Sequence, residues 1–284
     1  MKNIETLVQD INELMEGDLK EVDATLFKQF GVNLEELFFT RFTQDRSNDP
    51  PRLRMSNIGK PDRQLWLDFH GNPEEKEKLP AHTRIKFSYG DLIEQMVLLY
   101  AKLAGHTVEL EQAEVEVDGI KGHIDAVIDG VVVDVKSAST FSWQKFNSGA
   151  LLEEGNDPFG YVAQLSGYVE ALTPGQGGAF LAVDKTLGKL ALLQVPAERI
   201  QEYRVRDRIA HIKQVVASEQ IPPFCYPDVP DGKSGNMKLA AGCSYCARKF
   251  SCWEGLKTYY YSTGPRYLTK VVKEPKVQAE FPPE

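Results

Sequence analysis

The clearest alternation of apolar and polar positions runs from Gly122 to Ser137, "GHIDAVIDGVVVDVKS". Val and Ile at alternate positions predict strands, and the Asp129-Gly130 pair between two such runs predicts a two-residue hairpin turn. That turn sets a register in which Ile128 faces Val131, Val127 faces Val132 and Ala126 faces Val133. Continued outward, it puts Asp125 opposite Asp134 and His123 opposite Lys136. Side chains alternate between the faces of a strand. One face therefore carries Ile124, Ala126, Ile128, Val131, Val133 and Val135 as core, and the other carries His123, Asp125, Asp134 and Lys136, with Val127 and Val132 nearer the turn. Carboxylates directly across a strand pair repel. A divalent cation with oxygen ligands would offset that; a solvated face with an accidental acid pair is the alternative.

Elsewhere the period is helical. Ile4, Leu7, Val8, Ile11, Leu14 and Met15 form a stripe, and "LEELFFTRFTQ" predicts a second helix before "SNDPPR" breaks the chain. "LRMSNIGKPDRQLWLDFHG" predicts a short helix with Ser56 as its N-cap, and "NPEEKEKLP" a charged loop. Residues 87–104 predict a strong helix closed by Gly105. One or two strands follow over 107–117, then the hairpin. "DPFGYVAQLSGYVEAL" predicts a helix with Val162, Leu165, Val169 and Leu172 on one face and Tyr161, Gln164 and Tyr168 on the other. "GGAFLAVDK" and "GKLALLQV" read as strands, and "PAERIQEYRVRDRIAHIKQVVASEQ" as one long helix. This order predicts an α/β core with a mixed sheet flanked by helices. The expected organisation is a helical N-terminal region (1–84), a core (85–218) and a Cys-containing segment with a tail (219–284).

Composition narrows the class. The chain has 284 residues, 42% hydrophobic and 26% charged, as in ordinary globular proteins. No apolar run approaches the ~20 residues of a membrane span. The acidic, amphipathic start has no basic n-region, so a cytoplasmic protein is expected. A net charge of −8 argues against a generic nucleic-acid coat protein. It leaves room for a local basic track, with Arg204, Arg206, Arg208, Lys233, Lys238, Arg248 and Lys249 as candidates. All four cysteines are C-terminal: Cys225, Cys243, Cys246 and Cys252. A CxxC followed, after five intervening residues, by a third Cys favours a metal or cluster site over buried thiols. "DGKSGN" is no phosphate loop, because Pro227 stands where its first Gly would be.

Taken in chain order, Glu94 on a helix, Asp125 on a strand, Asp134-Val135-Lys136 on the next strand and Gln164 with Tyr168 on a following helix resemble the PD-(D/E)XK nuclease superfamily, in its RecB-like branch. The resemblance spans about residues 85–195. It implies a restriction-endonuclease-like core that hydrolyses phosphodiesters with Mg²⁺ or Mn²⁺ held by Glu94, Asp125, Asp134 and the Val135 carbonyl. The cation would supply Lewis acidity and an activated water. Lys136 would orient that water or stabilise the phosphate, and Gln164 and Tyr168 would hold the DNA strand or position Lys136. The iron–sulfur members of the branch, AddB-like and CRISPR-adaptation nucleases, carry one Cys upstream of the core and a trio after it. Here Cys243, Cys246 and Cys252 match the trio, while Pro61 and Asp62 stand at the upstream position. Cys225 is then the candidate fourth ligand of a [4Fe–4S] cluster or zinc.

The expected function is that of a metal-dependent DNA exonuclease in recombination, repair or phage DNA processing. It would act on single strands or duplex ends, away from membranes, beside a recombination or replication protein. A structure-selective or nicking endonuclease on the same core, and a non-catalytic DNA-binding module with a structural metal cluster, are the alternatives.

Overall fold

The computed structural model describes residues 2–17, 22–43, 49–77 and 81–280. Helices α1 (Leu7–Glu16), α2 (Ala24–Thr43), α3 (Asp62–His70) and α4 (Ala81–Leu103) come first. Strands β1 (Val108–Glu109), β2 (Glu114–Val117), β3 (Ile120–His123), β4 (Ala126–Ile128) and β5 (Val131–Ala138) follow. Then come α5 (Thr140–Ser148), α6 (Tyr161–Leu172), β6 (Gly178–Asp184), β7 (Leu190–Val195), α7 (Ala197–Glu202) and α8 (Val205–Ala217). The C-terminal part holds β8 (Val229–Pro230), β9 (Met237–Lys238), α9 (Ala241–Ser244) and α10 (Lys249–Cys252). It ends with β10 (Lys257–Tyr261), β11 (Gly264–Lys270) and β12 (Gln278–Glu280). Contacts divide the chain into two compact units, Met1–Gly59 with Pro80–Ile209, and Lys60–Leu79 with Ala210–Glu284.

The first unit is an α/β structure on a mixed sheet ordered β1-β4-β5-β6-β7. The middle strand, β5, pairs antiparallel with β4 and parallel with β6. Asp129 and Gly130 both take positive φ, 50° and 82°, as a two-residue hairpin requires. The pairs Ile128–Val131, Val127–Val132 and Ala126–Val133 form as expected. On one face Ala126, Ile128, Val133, Val135, Ala179, Leu181 and Val183 pack with Ile4, Leu7 and Ile11 and with Val97, Leu98 and Ala101 of α4. On the other, Phe180 meets Phe146 of α5 edge-on at 5.6 Å. A Cβ on Gly178 would lie 2.9 Å from Val169 and 3.0 Å from Leu165, so the missing side chain lets α6 come close. Both faces are covered, which is why Val127 and Val132 are buried as well.

Several expectations change. The hairpin ladder stops at Ala126. Ile124 N–H donates to the Ala113 carbonyl at 3.1 Å, and Gln112 N–H donates to that of Asp125 at 3.3 Å, so the backbone there is satisfied without β5. β3 pairs with β2 in a separate two-stranded sheet, where His123 faces Glu114 and not Lys136. Ser56 lies inside a short 3-10 turn, Met55–Asn57, and the following helix starts after Pro61. The long helix breaks at Arg204, whose φ is +51°. On either side of the break, Tyr203 Oη and Arg208 Nε donate to the Ile58 carbonyl at 3.3 and 2.9 Å.

The second unit carries an antiparallel sheet ordered β12-β10-β11-β9-β8 across the expected Cys-containing segment and tail. Its buried apolar residues include Leu65, Leu67, Leu239, Leu256, Tyr259 and Leu268. Buried polar groups are answered locally. Asn236 Oδ1 accepts from Val272 and Lys273 N–H at 2.7 and 2.8 Å, and Arg266 donates to Asp231 at 2.8 Å. Among the described residues no helix is long and apolar enough to cross a membrane.

Candidate active site

Four segments of the first unit bring the acidic and polar residues together. Glu94 comes from the middle of α4, Asp125 from the link between β3 and β4, Asp134 and Lys136 from alternate positions of β5, and Gln164 and Tyr168 from adjacent turns of α6. Asp134 is fully buried. Its Oδ2 lies 2.5 Å from Lys136 Nζ, an ion pair that falls short of hydrogen-bond geometry, and its Oδ1 has no partner. Asp125 does not stand in the ladder. Its Oδ2 accepts from Val135 N–H at 2.6 Å, a side chain replacing the strand that has peeled away.

Lys136 Nζ also donates to Gln164 Oε1 at 3.4 Å, and Gln164 Nε2 donates to Tyr168 Oη at 2.8 Å. Lys136 sits over the Tyr161 ring, 4.8 Å from its centre. Tyr168 is buried rather than on a solvated face, because Gly122 and its strand pack against its ring. The expected polar line on α6 is therefore an inward-facing set.

Two residues outside the expected set, Gln112 and Asp157, complete the site beside Tyr161. Gln112 donates to Glu94 Oε1 at 2.6 Å. Asp157 caps α6, accepting from Tyr161 and Val162 N–H at 2.9 and 2.8 Å. Tyr161 lies beneath Lys136. Asp157 had a sequence signal, an acid shortly before a helical period. Gln112 had none, since a loop glutamine is recognisable only by what it meets.

Burial dominates the electrostatics. It pushes the Glu94 carboxyl up to about 7; the Gln112 hydrogen bond holds it back, and the Asp134 charge adds to the rise. Burial also raises Asp125 well above the usual carboxylate range, and the charges of Asp134 and Glu94 raise it further. Asp134 is raised by burial against the opposing pull of Lys136. For Lys136 burial works against the charge, but Asp134 and Asp125 outweigh it and the net shift is upward. The acids around it thus favour the charged form of the lysine.

A buried acid with one oxygen unpartnered, flanked by two carboxyls that its charge raises, is chemically suited to a hard cation with oxygen ligands. Among the described residues no three His, Cys, Asp or Glu side chains already stand at metal-binding spacing. Ligation would have to draw the carboxylates together.

In the second unit Cys225, Cys243, Cys246 and Cys252 line one pocket of about 20 Å³. Arg63 Nε donates to Cys252 Sγ at 3.1 Å, and Arg248 N–H to Cys246 Sγ at 3.4 Å. Burial raises the Cys225 and Cys246 thiols. It pushes Cys243 up to about 11, with the other three sulfurs adding. Thiols that repel one another as thiolates around a shared space suit a soft cation.

Several of the candidate basic residues are paired within their own units. Arg206 pairs with Asp118 and Glu170 at 2.7 and 2.8 Å, and Arg204 with Asp207 at 2.5 Å. Arg248 and Lys249 are buried; Arg248 donates to the Asn72 carbonyl, and Lys249 pairs with Glu77. Of these four, only Arg248 and Lys249 are held inside the protein.

No protein-family model matches the chain, and no curated protein matches it. Among solved structures it is similar to an alkaline exonuclease, LHK-Exo, from Laribacter hongkongensis. That likeness has 13% identity, covers 67% of this chain and 94% of that one, and has a TM-score of 0.38. A phage related exonuclease from Haemophilus somnus 129PT is similar at 16% identity over 61% and 99% of the two chains, with a TM-score of 0.39. The functional reading rests on the side chains of the site itself.

Proposed function

We propose that the chain is a divalent-metal-dependent DNA exonuclease. The observation that carries this reading is the buried Asp134, with one oxygen unpartnered, set among Glu94, Asp125 and the charged Lys136. The order of the resembling motifs supports it. Glu94, Asp125 and Asp134 would hold Mg²⁺ or Mn²⁺, with the Val135 carbonyl as a further ligand. A bound cation supplies Lewis acidity at the phosphate.

The protein's own groups have distinct tasks in this reading. Val135 N–H fixes the Asp125 carboxylate. Lys136, held as a cation, neutralises phosphate charge. Gln164 links Lys136 to Tyr168, so the tyrosine steadies the amide that meets the ammonium. Burial first, then the Asp134 charge, raises the Tyr168 phenol, which stays neutral and able to donate. DNA ends or single strands are the proposed substrates, in recombination, repair or phage DNA processing.

The same proposal gives the four cysteines of the second unit one structural centre. An iron–sulfur cluster is preferred over zinc on the resemblance of the Cys243, Cys246 and Cys252 trio.

The test is Asp134→Ala on end-labelled linear DNA and on closed circular DNA with Mg²⁺. Wild type should degrade the linear form and spare the circle. The variant should lose cleavage by at least about a hundredfold while still binding DNA. Cleavage at the wild-type rate by the variant would remove the active-site assignment, and cutting of the circle would replace exonuclease with endonuclease.

A further inference from the structure

Helix α2 carries large apolar side chains on two sides. Leu26, Phe30, Leu34 and Leu37 are half-buried on the side toward α4. There Asn33 Nδ2 donates to Gln95 Oε1 at 3.1 Å, and Arg41 pairs with Asp91. The opposite side bears Val32, Phe39 and Phe42, which are 47%, 68% and 82% exposed. No residue of α2 is fully buried. A helix that is apolar all round is ordinarily covered all round. Gly31 sits mid-helix on the same outer side, where glycine weakens a helix relative to Ala. A Cβ added there would meet no described atom within 4 Å, so packing within the unit does not call for its small size.

The outer stripe reads Ala24, Lys28, Gly31, Val32, Glu35 and Phe39, all of them exposed. These positions map onto one another about a two-fold axis midway between Gly31 and Val32, each lying as far before the axis as its counterpart lies after it. We propose that this side of α2 is the interface of a two-fold symmetric dimer, with a second copy of the chain as the partner. In an antiparallel pair Lys28 of each copy meets Glu35 of the other, so the ion pair forms twice. Phe39 meets Ala24, large against small, and Gly31 meets Val32 where the two backbones come closest. In a parallel pair Lys28 would face Lys28 and Glu35 would face Glu35, so charge selects the antiparallel order. On its own helix neither residue has an opposite charge three or four positions away. The dimer would be built on the helix pair that carries Glu94.

The experiment is sedimentation equilibrium of the full chain at micromolar concentration, comparing wild type with Lys28→Glu, Glu35→Lys, both changes together, and Phe39→Ser. Wild type should be a dimer. Each single charge change sets like charges face to face at two places and should weaken dimerisation roughly tenfold or more. The double change restores opposite charges and should restore the dimer. Phe39→Ser removes apolar contact without touching charge and should also weaken the dimer. Helical content by circular dichroism should stay constant, since all three positions are exposed. A monomeric wild type, a dimer indifferent to the single charge changes, or single changes that the double change does not rescue would each overturn the proposal. If a charge variant fails to fold, Phe39→Ser decides, and a dimer that survives it sinks the interface.

Discussion

At the scale of single residues, Glu94 shows how the site sets stability against chemistry. Its carboxyl is raised from an ordinary 4.5 to about 7, chiefly by burial. A raised folded-state value contributes stability that is fully present below pH 4.5 and is lost as pH rises through 7. In metal-free protein the melting temperature should therefore fall across that window, by an amount equivalent to about 2–3 kcal/mol. Glu94→Gln should flatten the fall, and Mn²⁺ should reverse it in wild type at pH 8 but not in the variant. A pH-independent melting temperature in EDTA would count against the buried acid cluster. Lys136 calls for a different measurement. Lys136→Ala should lower single-turnover cleavage roughly a hundredfold or more. Mn²⁺ affinity by calorimetry should hold or tighten, because a neighbouring positive charge has gone. An unchanged rate would reduce the lysine to a counter-ion of Asp134.

At the scale of elements, β5 and α6 together set the geometry. Alternation along β5 places Asp134 and Lys136 on the face under α6, while Val133 and Val135 enter the opposite core. α6 is positioned at its start, by Asp157 and by the touching backbones of Gly59 and Gly160. Gly160→Ala would need a left-handed conformation at φ +72° and would drive a Cβ into Gly59. Destabilisation above about 2 kcal/mol is expected, read as a lower denaturant midpoint. Activity should fall further than stability, since Tyr161 and Gln164 begin one and four residues later. A neutral substitution would mean that the contact does not hold α6. The double role of this helix also explains why its two faces were misjudged. A helix packed between a sheet and a second hairpin has no solvated side for Tyr168.

At the scale of the whole molecule, residues 60–79 belong with the C-terminal unit. Arg63 reaches Cys252 and the Pro222 carbonyl, Trp66 Nε1 donates to the Ser218 carbonyl at 2.8 Å, and Glu77 pairs with the buried Lys249. The cysteines therefore sit between segments distant in sequence, where a metal staple would close long loops. Iron, sulfide and zinc analysis of anaerobically purified protein should return one centre per chain. Cys243→Ser with Cys246→Ser should lose it and unfold this unit at lower temperature. Absence of all three elements together with unchanged stability in the double variant would leave four ordinary thiols.

The sequence by itself determined what local chemistry controls. Asp129-Gly130 dictated the hairpin and its inner register, because only a left-handed turn joins strands so tightly. Periodicity marked α4 and α6, and motif order singled out Glu94, Asp125, Asp134, Lys136 and Gln164 with Tyr168. Only the tertiary structure decided where β3 leaves β5. That depends on whether Ala113 or β5 takes the Ile124 N–H, a competition between segments with equal claims to it. It also decided that Arg248 and Lys249 are buried and that a sheet spans the expected Cys-containing segment and tail. A charge pattern shows which residues can pair, but partners far along the chain become neighbours only when the fold closes.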